Sequence, residues 1–152
     1  MTDYYKNRFC RLCRSKKMRN VFNLNPSPLA NAFRKNILIK NKHYPLNIYL
    51  CLDCKHLQLV NIVNPKILFS NYLYSSGASQ VYIDHLKKYS DSLIIKYDLN
   101  NKIDSICDIG SNDGIFLHFF KKKGFKVLGI EPSKNLSTIS KKKGIKTKNN
   151  FF

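Results

Sequence analysis

Between residues 105 and 131 the chain alternates in a way that few folds can accommodate. Ser105-Ile106-Cys107-Asp108-Ile109 is a short apolar run that breaks at Gly110, and Ile115 to Lys123 follows with helical spacing. Lys126-Val127-Leu128-Gly129-Ile130 is a second apolar run ending at Glu131. Ser133 to Lys143 reads as a second helix with Ser133 at its N-cap, and Gly144-Ile145-Lys146-Thr147 starts a third strand. Strands separated by helices of about ten residues predict parallel pairing with right-handed crossovers. The fold class expected is therefore α/β.

The loop Asp108-Ile-Gly-Ser-Asn-Asp-Gly114 leaves the first strand and opens the first helix. Doubly wound sheets bind nucleotide-like ligands at this place. Gly110 permits a tight turn, and Gly114 permits close approach of helix and strand. The loop is not G-x-G-x-x-G, because Asn112 stands where a glycine would let the backbone meet a pyrophosphate. No Gly-Lys-Ser/Thr follows, so it is not a P-loop. Ser111, Asn112 and Asp113 suit a ligand bearing an ammonium and a carboxylate better than one bearing phosphates. Glu131, 21 residues after Gly110, is placed to accept hydrogen bonds from both hydroxyls of a ribose and would repel a 2′-phosphate. The plainer alternative is a structural βα turn followed by a surface glutamate.

Cys10-x-x-Cys13 and Cys51-x-x-Cys54 are two knuckles separated by 37 residues. A C-x-x-C turn brings two thiolates to one side, and two such turns complete a closed Cys₄ zinc site with no open position. The zinc expected here is structural. Arg8, Arg11, Arg14, Lys16 and Lys17 would offset the negative charge of a zinc tetrathiolate. His56 reads as a packed histidine, and Cys107 as a buried, inert thiol. A redox pair or plain buried thiols is the alternative for the knuckles.

Residues 1–75, with cysteines, prolines and weak periodicity, are expected to form the zinc module from short strands and turns. Asn25-Pro26-Ser27-Pro28 and Asn64-Pro65 mark breaks. Residues 76–100 contain a helix capped by Ser79, read as connecting the two modules. Residues 101–152 form the α/β part. The formal charge of +18 invites a nucleic-acid reading. Lysine, however, is spread over the whole chain, and the runs Lys121-Lys-Lys-Gly124 and Lys141-Lys-Lys-Gly144 fall at helix C-termini. There lysine complements the dipole and glycine supplies a left-handed residue. No apolar run is long enough for a membrane helix, and no apolar signal segment follows Met1. The expected location is cytoplasmic.

The sequence resembles the sugar C-methyltransferases that act on nucleotide-linked keto-deoxysugars. The resemblance is carried by Cys10-Arg-Leu-Cys13, Pro28-Leu-Ala-Asn-Ala-Phe33, Tyr44-Pro-Leu46, Cys51-Leu-Asp-Cys54 with His56-Leu-Gln-Leu59, and Tyr72-Leu-Tyr-Ser-Ser-Gly77 with Ser79. It continues through Asp108 to Gly114, Gly129-Ile-Glu-Pro-Ser133 and Phe151-Phe152. It implies a zinc-binding N-terminal domain, then a Rossmann-like class I methyltransferase domain of which only the first βαβα part is present. S-adenosylmethionine is the implied cofactor. Its implied ligands are Asp108, Gly110, Ser111, Asn112, Asp113, Gly114, Glu131, Pro132 and Ser133. Tyr72 and Tyr74 are implied to face the active site, with packing at a domain junction as the alternative. The implied chemistry is removal of a proton α to a ketone, followed by attack of the carbanion on the cofactor's methyl group.

The family's histidine base, and a further acid that contacts adenine, have no match up to Phe152. The chain is therefore expected to be a truncated portion, inactive alone and completed if the missing half is supplied by another chain. The partner expected is a nucleotide-sugar substrate. The runner-up readings are a basic zinc ribbon binding nucleic acid, and a non-catalytic partner of a separate methyltransferase half.

Overall fold

The computed structural model describes residues 3–30, 32–33, 36 and 38–152. Asn31, within the Pro28-to-Phe33 stretch, lies outside the described residues. The chain divides into two compact units, Met1–Leu68 and Phe69–Phe152.

In the first unit, β1 (Tyr4–Lys6) pairs antiparallel with β5 (Asn61–Val63). A second antiparallel sheet has the order β2 (Met18–Ser27), β3 (Tyr44–Cys51), β4 (Leu57–Leu59). The central strand β3 carries tyrosine, leucine and isoleucine, which suit a pleated, half-buried surface. Pro45 has no N–H to give the ladder, and β2 accordingly slips register between Leu24 and Ser27, opposite it. The core is small. Among the described residues its buried apolar side chains are Cys10, Tyr44, Cys51 and Val60. Half of these are cysteines, so a metal staple is what a unit with so little buried hydrocarbon requires. The buried Gln58 bridges outward: its Oε1 accepts from the Arg11 amide at 2.9 Å and its Nε2 donates to the Phe9 carbonyl at 3.0 Å. It thereby ties the first knuckle to β4. A short helix, α1 (Pro65–Phe69), follows, with Pro65 in the first turn where no N–H is missed.

In the second unit a 3₁₀ turn (Ser76–Ala78) precedes α2 (Gln80–Lys96). Ser79 caps α2 as expected, its Oγ accepting from the Tyr82 amide. Then come β6 (Ser105–Ile109), α3 (Ile115–Lys122), β7 (Lys126–Ile130), α4 (Lys134–Lys142) and β8 (Thr147–Lys148). The three strands are parallel in the order β6-β7-β8. Both crossovers advance in the same direction, so right-handedness puts α3 and α4 on one face. Leu117, Phe120, Phe125, Leu136 and Ile145 fill the space beneath them. Ile109 is 56% exposed. Cys107 is exposed too, which corrects the expectation of a buried thiol: strand position alone does not bury a residue when one face of the sheet has no cover.

Both Lys-Lys-Lys-Gly runs have the structural role expected. Gly124 and Gly144 take φ of +86° and +75°. The amides of Phe125 and Ile145 return to the carbonyls of Phe120 and Ser140, closing each helix in a Schellman turn with an apolar residue underneath. Lys121 Nζ donates to the Gly144 carbonyl at 2.6 Å, and Lys123 pairs with Asp91. No helix among the described residues is long and apolar enough to cross a membrane.

Candidate functional site

The four knuckle cysteines come together. Their Sγ atoms all lie within 4.8 Å of one another. Cys10 to Cys54 and Cys13 to Cys51 are both 3.5 Å. A zinc tetrahedron with bonds of about 2.3 Å has edges of about 3.8 Å, so the donor set fits one four-coordinate ion. Each knuckle is built the same way. The amides of Cys10 and Cys51 donate to the carbonyls of Ser15 and His56, and the amides of Arg14 and Lys55 donate back to the carbonyls of Cys10 and Cys51. Arg14 and Lys55 both sit at φ +64°, a conformation that non-glycine residues accept only when the surroundings impose it. The first cysteine of each pair is buried and the second is at the surface.

The backbone also sets the thiol chemistry. The Cys54 amide, with that of Asp53, draws Cys51 down to about 6 against the opposing effect of burial. The Cys13 amide lowers Cys10 in the same way. At Cys54 the His56 amide lowers the pKa, but burial and three neighbouring sulfurs outweigh it and push the thiol to about 12. Four thiols this close do not all ionise unless a cation joins them. His56 therefore serves through its backbone, and among the described residues it is not part of the metal cluster. Some of the basic residues around the first knuckle are taken locally. Arg11 donates to the Leu59 carbonyl, Lys17 pairs with Asp53 at 3.7 Å, and Lys16 lies over the Phe9 ring.

The second cluster gathers where β6 and β7 end. Gly110, at φ +78°, has no atom of the described residues within 4 Å of the place a Cβ would occupy. Asp108 is the penultimate residue of β6, two residues before Gly110, and among the described residues no hydrogen bond or ion pair reaches its carboxylate. Burial, and then the negative charge of Glu131, push its pKa up. Glu131 is buried, 5% exposed. Its Oε2 accepts from the Asn112 amide and its Oε1 from the Ser133 amide, both at 2.8 Å. A carboxylate has about four lone-pair positions, so acceptor capacity remains for a ligand's hydroxyls. Glu131 thus joins the loop after β6 to the loop after β7. Asn149 Nδ2 donates to the carbonyls of Glu131 and Pro132, closing the same corner. Ser111 Oγ is buried without a partner among the described residues. Gly114 has no such freedom: at φ +76°, a Cβ there would overlap Ser140.

Asn112 and Asp113 turn to another task. The side-chain amide of Asn112 accepts from the Ser76 amide at 2.9 Å and donates to the Tyr74 carbonyl at 3.1 Å. Asp113, 1% exposed, accepts at Oδ2 from Ser75 Oγ (2.8 Å), the Gly77 amide (3.0 Å) and Lys143 Nζ (2.8 Å). Burial would raise its pKa, but Lys143 and Ser75 outweigh it and hold the carboxyl below the usual range. The Tyr72 amide donates to Ser133 Oγ at 3.0 Å and to Asn135 Oδ1 at 3.2 Å, and its carbonyl accepts from Asn135 Nδ2 at 2.7 Å. Ser133 heads α4, yet its hydroxyl turns to Tyr72 and Asn135 rather than capping the helix. The structure thus ties Tyr74 to the glycine loop and Tyr72 to the start of α4 through their backbone, with Tyr74 about half exposed.

Sequence reasoning missed Asn135, Lys143 and the serines of this contact. The Ser75-Ser-Gly77 stretch was the available signal, whereas nothing local marks Lys143 apart from its neighbours in a lysine run.

Two comparisons with known proteins bear on these sites. Residues 10–69 match a family described as "Putative zinc binding domain", and all four cysteines lie within the match. The chain is also similar to the C-methyltransferase NovU of Streptomyces niveus, with 27% identity over 144 residues, 91% of this chain and 33% of that protein. The chain therefore spans about a third of the length of the curated relative it matches.

Proposed function

We propose that this chain, which resembles the sugar C-methyltransferases in its motifs, matches a putative zinc-binding domain and is similar to a C-methyltransferase, carries the zinc module and the opening half of an S-adenosylmethionine site. The enzyme it belongs to would methylate a carbon next to a ketone on a nucleotide-linked keto-deoxysugar. One observation carries the cofactor reading. Asp108 is half-buried and without a cationic partner among the described residues, two residues before Gly110, over which the described residues leave open space. A buried carboxylate calls for a cation, and the ammonium of an amino-acid ligand would supply one. Glu131 on the neighbouring strand would take ribose hydroxyls with its remaining lone pairs. Among the described residues, Ser111 Oγ is a buried polar atom without a partner.

When bound, the cofactor supplies a methyl group on a sulfonium, an electrophile that needs no further activation. The residues of this chain bind and orient. Asp108 would hold the ammonium, Gly110 would leave room for the ligand, and Glu131 would fix both loops. Tyr72 and Tyr74 would border the site. Removal of the substrate proton is assigned to residues outside these, so the chain alone is expected to bind without turnover. Zinc would be held by Cys10, Cys13, Cys51 and Cys54, where it stabilises the first unit and takes no part in the chemistry.

The test is calorimetric titration of the 152-residue chain with S-adenosylmethionine. Saturable binding is expected, lost or weakened at least roughly tenfold in Asp108→Asn, the scale of a charge-assisted contact. Binding of NAD in place of S-adenosylmethionine, or equal affinity in Asp108→Asn, would refute the reading.

A further inference from the structure

We infer that Lys143 is a positioning residue, which together with Asp113 buckles the segment from Ser70 to Ser79 beside the cofactor loop and so sets the place of Tyr74. The inference rests on the cofactor reading above.

The segment is held at two points. At one, Tyr72 is tied by both its backbone groups to Ser133 and Asn135, and the Ser70 carbonyl accepts from the Lys134 amide at 3.0 Å. At the other, Ser75, Ser76 and Gly77 donate to Asp113 and Asn112. Tyr74 lies between the two, its carbonyl held by Asn112. The second point depends on a buried carboxylate. Asp113 Oδ2 gathers three donors, and Lys143 is the charged one among them. Without that ammonium a carboxylate only 1% exposed would stay uncompensated, and burial would favour its protonation. A protonated Asp113 loses acceptor capacity and would let go of the strap. Gly77 supports the same picture independently. A Cβ there would overlap Asp113 Oδ2 and lie 3.3 Å from Lys143 Nζ, so the strap touches the carboxylate with no room for a side chain. Lys143 and Asp113 are 30 residues apart, and the strap is 36 residues before the loop. The buckle therefore joins three separate stretches: strap, cofactor loop and the end of α4.

The test is hydrogen–deuterium exchange on the full chain, with and without S-adenosylmethionine, in Lys143→Met, Lys143→Arg and Ser75→Ala. In Lys143→Met the amides of Ser76 and Gly77 are expected to exchange at least roughly tenfold faster, the scale of losing hydrogen bonds to a charged group. Amides of β6 and β7 should keep their protection, and Lys143→Arg should restore the strap. Ser75→Ala, which leaves the ion pair intact, should loosen the strap partly. The affinity for S-adenosylmethionine should fall in step in Lys143→Met and recover in Lys143→Arg. Unchanged exchange of Ser76 and Gly77 in Lys143→Met would overturn the buckle. A loosened strap with unchanged affinity would overturn the positioning role. Failure of the wild-type chain to bind the cofactor would remove the function reading and the positioning role together, while exchange alone would still decide whether the buckle exists.

Discussion

Gly110 and Gly114 share one loop and nearly one backbone conformation, at φ +78° and +76°, yet the structure assigns them opposite roles. Replacing each with alanine separates them. At either position the left-handed backbone strains an L residue by about 1–2 kcal/mol. At Gly110 no atom of the described residues lies within 4 Å of the new methyl group, so strain is the cost. At Gly114 the methyl overlaps Ser140 Oγ, and lies 3.1 Å from Ser140 Cβ and 3.2 Å from Ile145 Cγ1. Ser140 cannot step aside freely, because its hydroxyl is buried and hydrogen-bonded to Thr147 Oγ1 at 2.8 Å. Overpacking of this kind adds about 1–3 kcal/mol. Gly114→Ala should therefore lose about 2–5 kcal/mol. For a unit of this size each kcal/mol is about 4–8 °C of melting temperature. The expected fall is about 8–40 °C for Gly114→Ala, against about 4–16 °C for Gly110→Ala.

Ligand affinity should rank the other way. On the proposed placement of the cofactor the Gly110 methyl would project into its space, so Gly110→Ala should weaken S-adenosylmethionine binding at least roughly tenfold while the protein stays folded at room temperature, as a steric clash in a close-fitting site would. Thermal unfolding followed by circular dichroism gives the first quantity and calorimetric titration the second. Equal losses of stability in the two variants would refute the packing argument. Unimpaired binding in Gly110→Ala would refute the placement of the ligand over Gly110.

Cys51→Ser should lower zinc content from one ion per chain to a small fraction, measured by atomic emission, and the first unit should become sensitive to limited proteolysis while the second resists. Zinc loading of the metal-free chain near pH 8 should release protons, that of Cys54 among them because its thiol is held at about 12. Apparent zinc affinity should consequently fall as the pH falls, read with a chromophoric competitor. Asp113 has its pKa lowered on folding. Its contribution to stability is thus complete above the ordinary carboxylate pKa near 3.8 and disappears as the pH drops through the folded value. Lys143→Met, which removes a group that lowers that pKa, should move the acid limb of unfolding to higher pH, and an unchanged limb would contradict the ion pair.

The parts of this protein written in local spacing were readable from residues alone. Two C-x-x-C turns specify their own backbone, and the structure shows both knuckles with the same hydrogen bonds. The strands at 105–109 and 126–130 and the helices around them follow from apolar runs punctuated by glycine. Glycines 124 and 144 close α3 and α4 for the reason their place after a lysine run suggested. What escaped was the use of Asn112 and Asp113. A polar residue in a loop carries no local mark of which way it faces. Whether Asp113 meets a ligand or its own chain depends on Ser75, Gly77 and Lys143, which lie 30 or more residues away in the sequence. The exposure of Cys107 escaped for a similar reason. Its burial depends on what covers one face of a parallel sheet, and a strand's own sequence reports its wish for cover rather than the cover itself. Asp108 sits between these cases. Its place in β6 just before the glycine loop was legible, but the feature that makes it a candidate ligand for a cation, a half-buried charge without a partner among the described residues, exists only once the chain has folded.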